Sequence, residues 1–117
     1  MSTDTLLALR DALRQFAAER DWDVFHTPKN LAMALCGEAG EVIEHFQWLT
    51  AEQSADLAPE VRAAVALELA DVLLYLVRLA DVLEVDLAEV AERKLLINAQ
   101  RYPVDKARGR ADKHDRL

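Results

Sequence analysis

The segment VRAAVALELADVLLYLVRLADVL, Val61–Leu83, decides the fold class. It is apolar on nearly every side of a helix, which predicts a central and well-buried one. Arg62, Glu68, Asp71, Arg78 and Asp81 interrupt it, and so many charges argue against a membrane span. Pro59 suits the first turn of this helix. Downstream, Asp86 and Glu89 form a capping pair for a helix over Leu87–Arg101, and Pro103 stops it. Upstream, Thr50–Pro59 is a connector in which Thr50 and Gln53 have capping-box spacing, enough for a short turn of helix. Thr27 caps and Pro28 opens another helix that runs to about Leu49. In a first helix over Asp4–Glu19, Leu6, Leu9, Leu13 and Phe16 recur at steps of three and four, giving one apolar stripe. The linker Arg20–Thr27 carries Trp22, Phe25 and His26.

These elements predict an all-α, four-helix bundle without strands. Residues 1–102 form the domain, and 103–117 form a charged, flexible tail with one large apolar residue beyond Val104. A chain of 117 residues suits one domain, and small cores are marginal enough that self-association to a dimer or tetramer is expected. Acids outnumber bases by 21 to 14, for a net charge of −7. That balance argues against a nucleic-acid polymer as partner, which needs a basic face, but not against a nucleotide arriving with its counter-cation. The single cysteine, Cys36, excludes an intrachain disulfide, and the first residues lack the pattern of a secretion signal. Both point to a cytoplasmic protein with no membrane attachment.

The chemistry lies in two short motifs. Glu38-Ala-Gly-Glu41 falls on the second helix and Glu68-Leu-Ala-Asp71 on the long apolar one. Carboxylates three apart share a helix face. Two such helices side by side can aim four carboxylates at one spot, where like charges repel unless cations sit between them. A lone Glu-x-x-Glu is common on helix surfaces. Here, however, Glu68 and Asp71 lie in the most apolar stretch, where unpaired carboxylates cost several kcal/mol. Gly37 and Gly40 flank Glu38, and each costs about 1 kcal/mol against alanine in a helix interior, as though something must approach the backbone. Oxygen ligands select hard divalent ions, magnesium first and manganese as the alternative. Di-iron bundles need Glu-x-x-His on two helices. Neither His45 nor His114 has an acid three residues earlier, and only His26 does, with Asp23, in the linker. One cysteine and scattered histidines suit structural zinc no better.

The pattern Glu-x-x-Glu, then residues 42–67, then Glu-x-x-Asp resembles that of the all-α, MazG-like nucleoside triphosphate pyrophosphohydrolases, most nearly the dCTP pyrophosphatase branch. The likeness extends through Arg20–His26, Pro28–Leu31, Phe46–Trp48, Tyr75, Lys94–Asn98 and Arg101–Pro103. It implies that Glu38, Glu41, Glu68 and Asp71 bind magnesium; Glu38 and Glu41 are then the two candidates for positioning the attacking water. It implies that His26, Trp48 and Tyr75 line a nucleoside pocket with Asn98 close by, and that Lys94 faces phosphate. The implied reaction cleaves a nucleoside triphosphate, dCTP or a modified cytosine nucleotide, between its α- and β-phosphates. One departure is Glu84, where many relatives carry glycine ahead of the last helix.

The residues support part of this map independently. Glu38, Glu41, His45 and Trp48 follow one stripe of the second helix, and Tyr75 stands one turn beyond Asp71. Lys94 and Asn98 share a face with Leu87 and Ala91 that should point inward, and an inward lysine needs an anion. Blander readings stay open at the same positions: Trp48 as a helix-end anchor, Tyr75 as a core tyrosine, His26 as a turn residue, Lys94 snorkelling to water. The competing function is a non-enzymatic helical interaction module that docks through its apolar third helix.

Overall fold

The computed structural model describes residues 3–117, and all regular structure among them is helical, with no strand. The helices are α1 (Thr3–Glu19), α2 (Pro28–Glu44), α3 (Ala51–Ser54), α4 (Pro59–Val82), α5 (Leu87–Arg101) and α6 (Val104–Ala107), followed by a 3-10 turn at His114–Arg116. The chain divides into two compact units, one ending at Val85 and the other Asp86–Leu117.

Local chemistry sets most helix starts. Thr27 accepts the Asn30 N–H at 3.2 Å, and Pro28 follows at the first helical position. At α3 the capping box is complete: Thr50 Oγ1 accepts from Gln53 N at 3.2 Å, and Thr50 N donates to Gln53 Oε1 at 3.0 Å. Asp86 accepts the Glu89 N–H at 3.2 Å. Each bond satisfies a donor that the first turn of a helix leaves unpaired.

Two helices stop in the same way. After α1, Asp21 takes φ 54°, and after α4, Glu84 takes φ 58°. Trp22 N then donates to Ala17 O at 2.9 Å and Asp21 N to Ala18 O at 3.2 Å; Val85 N donates to Ala80 O at 2.8 Å and Glu84 N to Asp81 O at 3.0 Å. This pair of crossed bonds is the Schellman stop, whose left-handed residue is usually glycine. Neither position here is glycine.

Within the first unit, α4 packs against both α2 and α1. The buried apolar residues are Ala17 of α1, Leu31 of α2, and Val65, Val77 and Ala80 of α4. So α4 is the central helix of this unit, but it is not enclosed as its composition predicts. Leu67 is 70% exposed, and Leu69 and Leu76 are exposed too, along with Met33 and Ile43 of α2. One chain lacks the surface to cover an all-apolar helix on every side.

One other expectation changes. The second helix ends at Glu44 and not near Leu49: beyond it the bonds tighten to Phe46 N to Ile43 O and Leu49 N to Phe46 O. The segment after Pro103 contains the α6 turn and the terminal 3-10 turn, with the His114 ring set edge-on to Tyr102 at 5.8 Å.

Replacing Leu31, 1% exposed, with alanine should lower unfolding stability by roughly 2–5 kcal/mol. Glu84→Gly should raise it by about 1 kcal/mol, because only the left-handed strain is removed. Denaturant midpoints measure both, and a lower midpoint for Glu84→Gly contradicts the account of that turn.

Candidate active site

Because α2 lies against α4, the two acidic motifs face each other. Glu38, Glu41 and Glu68 each offer one carboxylate oxygen, all within 4.8 Å of one another. Glu38 and Glu68 are half-buried, whereas Glu41 is exposed. Glu38 Oε2 and Glu68 Oε2 are buried and have no hydrogen-bond partner among the described residues. Asp71 is not in this trio, but its charge acts on both Glu38 and Glu68.

The carboxyls of Glu38 and Glu68 are both held above the ordinary 4.5. For each, the largest cause is Glu41, which accepts a hydrogen bond from the protonated form; burial and the neighbouring negative charges add to it. His45 opposes the shift at Glu68. As carboxylates, by contrast, the buried oxygens have no donor among the described residues. An oxygen-only donor set of this kind suits a hard divalent ion. Metal–oxygen distances of about 2.0–2.6 Å allow oxygens up to roughly 5 Å apart to share one.

Beside Asp71 opens a cavity of about 320 Å³, within the size range of small-molecule pockets. Its walls are Leu13 and Phe16 of α1, Trp22 and His26 of the linker, and Asp71, Leu74, Tyr75 and Arg78 of α4. The stop at Asp21 turns Trp22 back onto the end of α1. There its ring meets Phe16 edge-on at 5.7 Å and His26 at 6.1 Å.

Arg78, only 9% exposed, ties this wall together. Its Nε donates to His26 Nδ1 at 3.0 Å and its Nη2 to Asp23 Oδ1 at 2.8 Å. Its Nη1 lies 3.6 Å from Asp81. Arg14 of α1 grips the same Asp81 with two bonds, of 2.7 and 2.5 Å. Those bonds from Arg14 are the main cause holding the Asp81 carboxyl below its ordinary 3.8. Burial first, and the Arg78 charge second, push the His26 ring below its ordinary 6.5, with Asp23 opposing.

The residues singled out by sequence thus divide. Glu38, Glu41 and Glu68 come together, Asp71 adjoins both them and the cavity, and His26 and Tyr75 line the cavity. Trp48 does not join it: lying beyond the end of α2, it leaves the stripe of Glu38 and Glu41 and is 86% exposed. On α5, Lys94 and Ala91 are exposed while Leu87 and Asn98 are half-buried, so the face expected to turn inward is only partly covered. A Cβ added at Gly37 or Gly40 would meet nothing within 4 Å, so no contact among the described residues accounts for either glycine. Sequence reasoning missed the wall built by Leu13, Phe16, Trp22 and Arg78. The available signal was an arginine in the most apolar stretch of the chain.

The MazG-like family model matches residues 33–117, which include both acidic motifs and Tyr75. This chain belongs to the MazG-like family. Among its family relatives, dCTP pyrophosphatase 1 of Mus musculus is 48% identical over 115 residues, 97% of this chain and 68% of that protein. The Homo sapiens protein of the same name is 46% identical over 115 residues, with the same coverage of 97% and 68%. A pyrophosphatase of known crystal structure from Archaeoglobus fulgidus DSM 4304 superposes with a TM-score of 0.80 at 38% identity, covering 85% of this chain and 93% of that one. No helix of this MazG-like chain is long and apolar enough to cross a membrane among the described residues.

The depressed His26 value carries a stability signature. Its contribution is complete above the unfolded value of 6.5 and is lost as pH falls through the lower folded value. Glu38 and Glu68 act in the opposite sense, because their raised values favour the folded state as they take up protons. The difference between wild type and His26→Gln isolates the histidine. The stability advantage of wild type should shrink below pH 6.5, and an advantage independent of pH contradicts the assignment.

Proposed function

We propose that this chain is a nucleoside triphosphate diphosphatase that converts dCTP, or a cytosine-modified relative, to the monophosphate and pyrophosphate with magnesium. The observation that carries this reading is the facing trio Glu38, Glu41 and Glu68, with two buried, partnerless carboxylate oxygens, next to an aromatic cavity. The names of the relatives at 46–48% identity supply the substrate class. They also favour an enzyme over a docking module.

In this reading Glu38, Glu41, Glu68 and Asp71 would hold the ion. When bound, it supplies positive charge to the triphosphate and polarises the phosphoryl group under attack; manganese can take its place. Glu38 and Glu68 contribute their buried oxygens. Glu41, the exposed member of the trio, orients the attacking water and accepts its proton. Phe16, Trp22 and Tyr75 give the base flat apolar surfaces, while His26 gives it a polar contact. Asp71, shared by cluster and cavity, sets the distance between base and phosphates. The family resemblance adds Lys94, Asn98 and Trp48 to the substrate contacts. Self-association to a dimer or tetramer would cover exposed leucines such as Leu67. An unpaired Cys36 suits a reducing cytoplasm.

Product analysis tests the reaction. Incubation with magnesium and dCTP should give dCMP and pyrophosphate; dCDP with orthophosphate would mean that another bond is cut. Glu38→Gln and Asp71→Ala should each lower turnover by at least about a hundredfold in a folded protein. Full activity in either refutes its assignment.

A further inference from the structure

We propose that Arg78 is a positioning residue that fixes His26 with its proton on Nε2, so that the ring offers a hydrogen-bond donor to the acceptor edge of a base in the cavity. The second half rests on the cavity receiving the base, as proposed above. The first half rests on geometry alone.

Arg78 Nε approaches His26 Nδ1 at 3.0 Å. A guanidinium only donates, so Nδ1 must present its lone pair. A neutral imidazole then carries its single proton on Nε2. Turning the ring over would set a carbon against Arg78 Nε and forfeit the bond. The guanidinium itself cannot drift: Asp23 holds Nη2 at 2.8 Å, and Asp81 lies 3.6 Å from Nη1. Arg14 in turn anchors Asp81 with its paired bonds. Trp22, edge-on at 6.1 Å, confines the ring from another side.

Among the described residues, His26 Nε2 has no protein partner, and His26 lines the cavity with Asp71 and Tyr75. The carboxylate oxygens of Asp71 serve there as acceptors. A fixed Nε2–H therefore gives the cavity a donor that Asp71 cannot supply, and it matches a ring carbonyl or an unprotonated ring nitrogen of a base. The opposite tautomer would instead match an exocyclic amino group. Arg78 thus decides which edge of the base the histidine reads, without touching the base.

The wild-type chain tests the first half without nucleotide. In full-length protein labelled with 15N-histidine, spectra at neutral pH should show His26 Nδ1 unprotonated and Nε2 protonated. A protonated Nδ1 overturns the proposal, whatever the substrate proves to be. A double-mutant cycle with dCTP and magnesium tests the second half. His26→Phe should raise KM roughly tenfold, with a smaller effect on kcat. Arg78→Met should raise KM by less, and the double variant should be no worse than His26→Phe alone. Multiplying effects would mean that Arg78 does not act through His26, and the proposal falls. Where Arg78→Met does not fold, Asp23→Asn frees one side of the guanidinium. It should raise KM a few-fold in the wild-type background and not at all beside His26→Phe. Absence of dCTP turnover in the wild type sinks the proposed function, while the spectrum still decides the tautomer.

Discussion

The like-charge contact between Glu38, Glu41 and Glu68 is the constraint on which the rest of the site depends. Packing of α2 on α4 forces these carboxylates together, and burial strips two of their oxygens of any donor. Left alone, the trio works against the fold, because raised proton affinity at Glu38 and Glu68 means that the ionised forms are disfavoured there. Such an arrangement is destabilising as protein and useful as a receptor for a hard cation. In the function proposed above, the same three side chains would supply both the electrostatic penalty and the binding energy that offsets it.

The cavity wall solves the opposite electrostatic problem. Arg78 is a nearly buried cation, and it is tolerated because every nitrogen of its guanidinium faces a specific group: His26, Asp23 or Asp81. Through Asp81 and Arg14 this network reaches α1, and through Asp23 it holds the linker. One arginine on α4 therefore registers three parts of the chain around the aromatic cavity. Asp71, one side of the cavity wall, also lies within electrostatic reach of Glu38 and Glu68, so one residue of α4 adjoins both the cavity and the acidic trio.

How much of this could be read from sequence depends on how local the cause is. Thr27 with Pro28, Thr50 with Gln53, and Asp86 with Glu89 announce helix starts through bonds made within a few residues, and each bond is present. The acidic motifs are legible because a spacing of three fixes a helix face. The end of α2 is not legible, since no glycine or proline marks Glu44, and the stripe that would carry Trp48 breaks there. The ends of α1 and α4 fall close to the expected Glu19 and Leu83, but the left-handed geometry of the stops at Asp21 and Glu84 is not legible, because neither residue is glycine. Only the first of these stops places Trp22, so the cavity wall was hidden with it. Apolar periodicity also does not say what covers an apolar face, which is why Leu67 and Leu69 read as core and lie exposed.

Direct cation binding tests the account at its centre. Manganese, followed by electron paramagnetic resonance, can be titrated into the nucleotide-free protein, with magnesium as competitor. The acidic trio predicts a bound manganese population in the wild type, displaced by magnesium, and affinity reduced at least about tenfold in Glu68→Gln. Equal binding by the two proteins, or none by either, would contradict it.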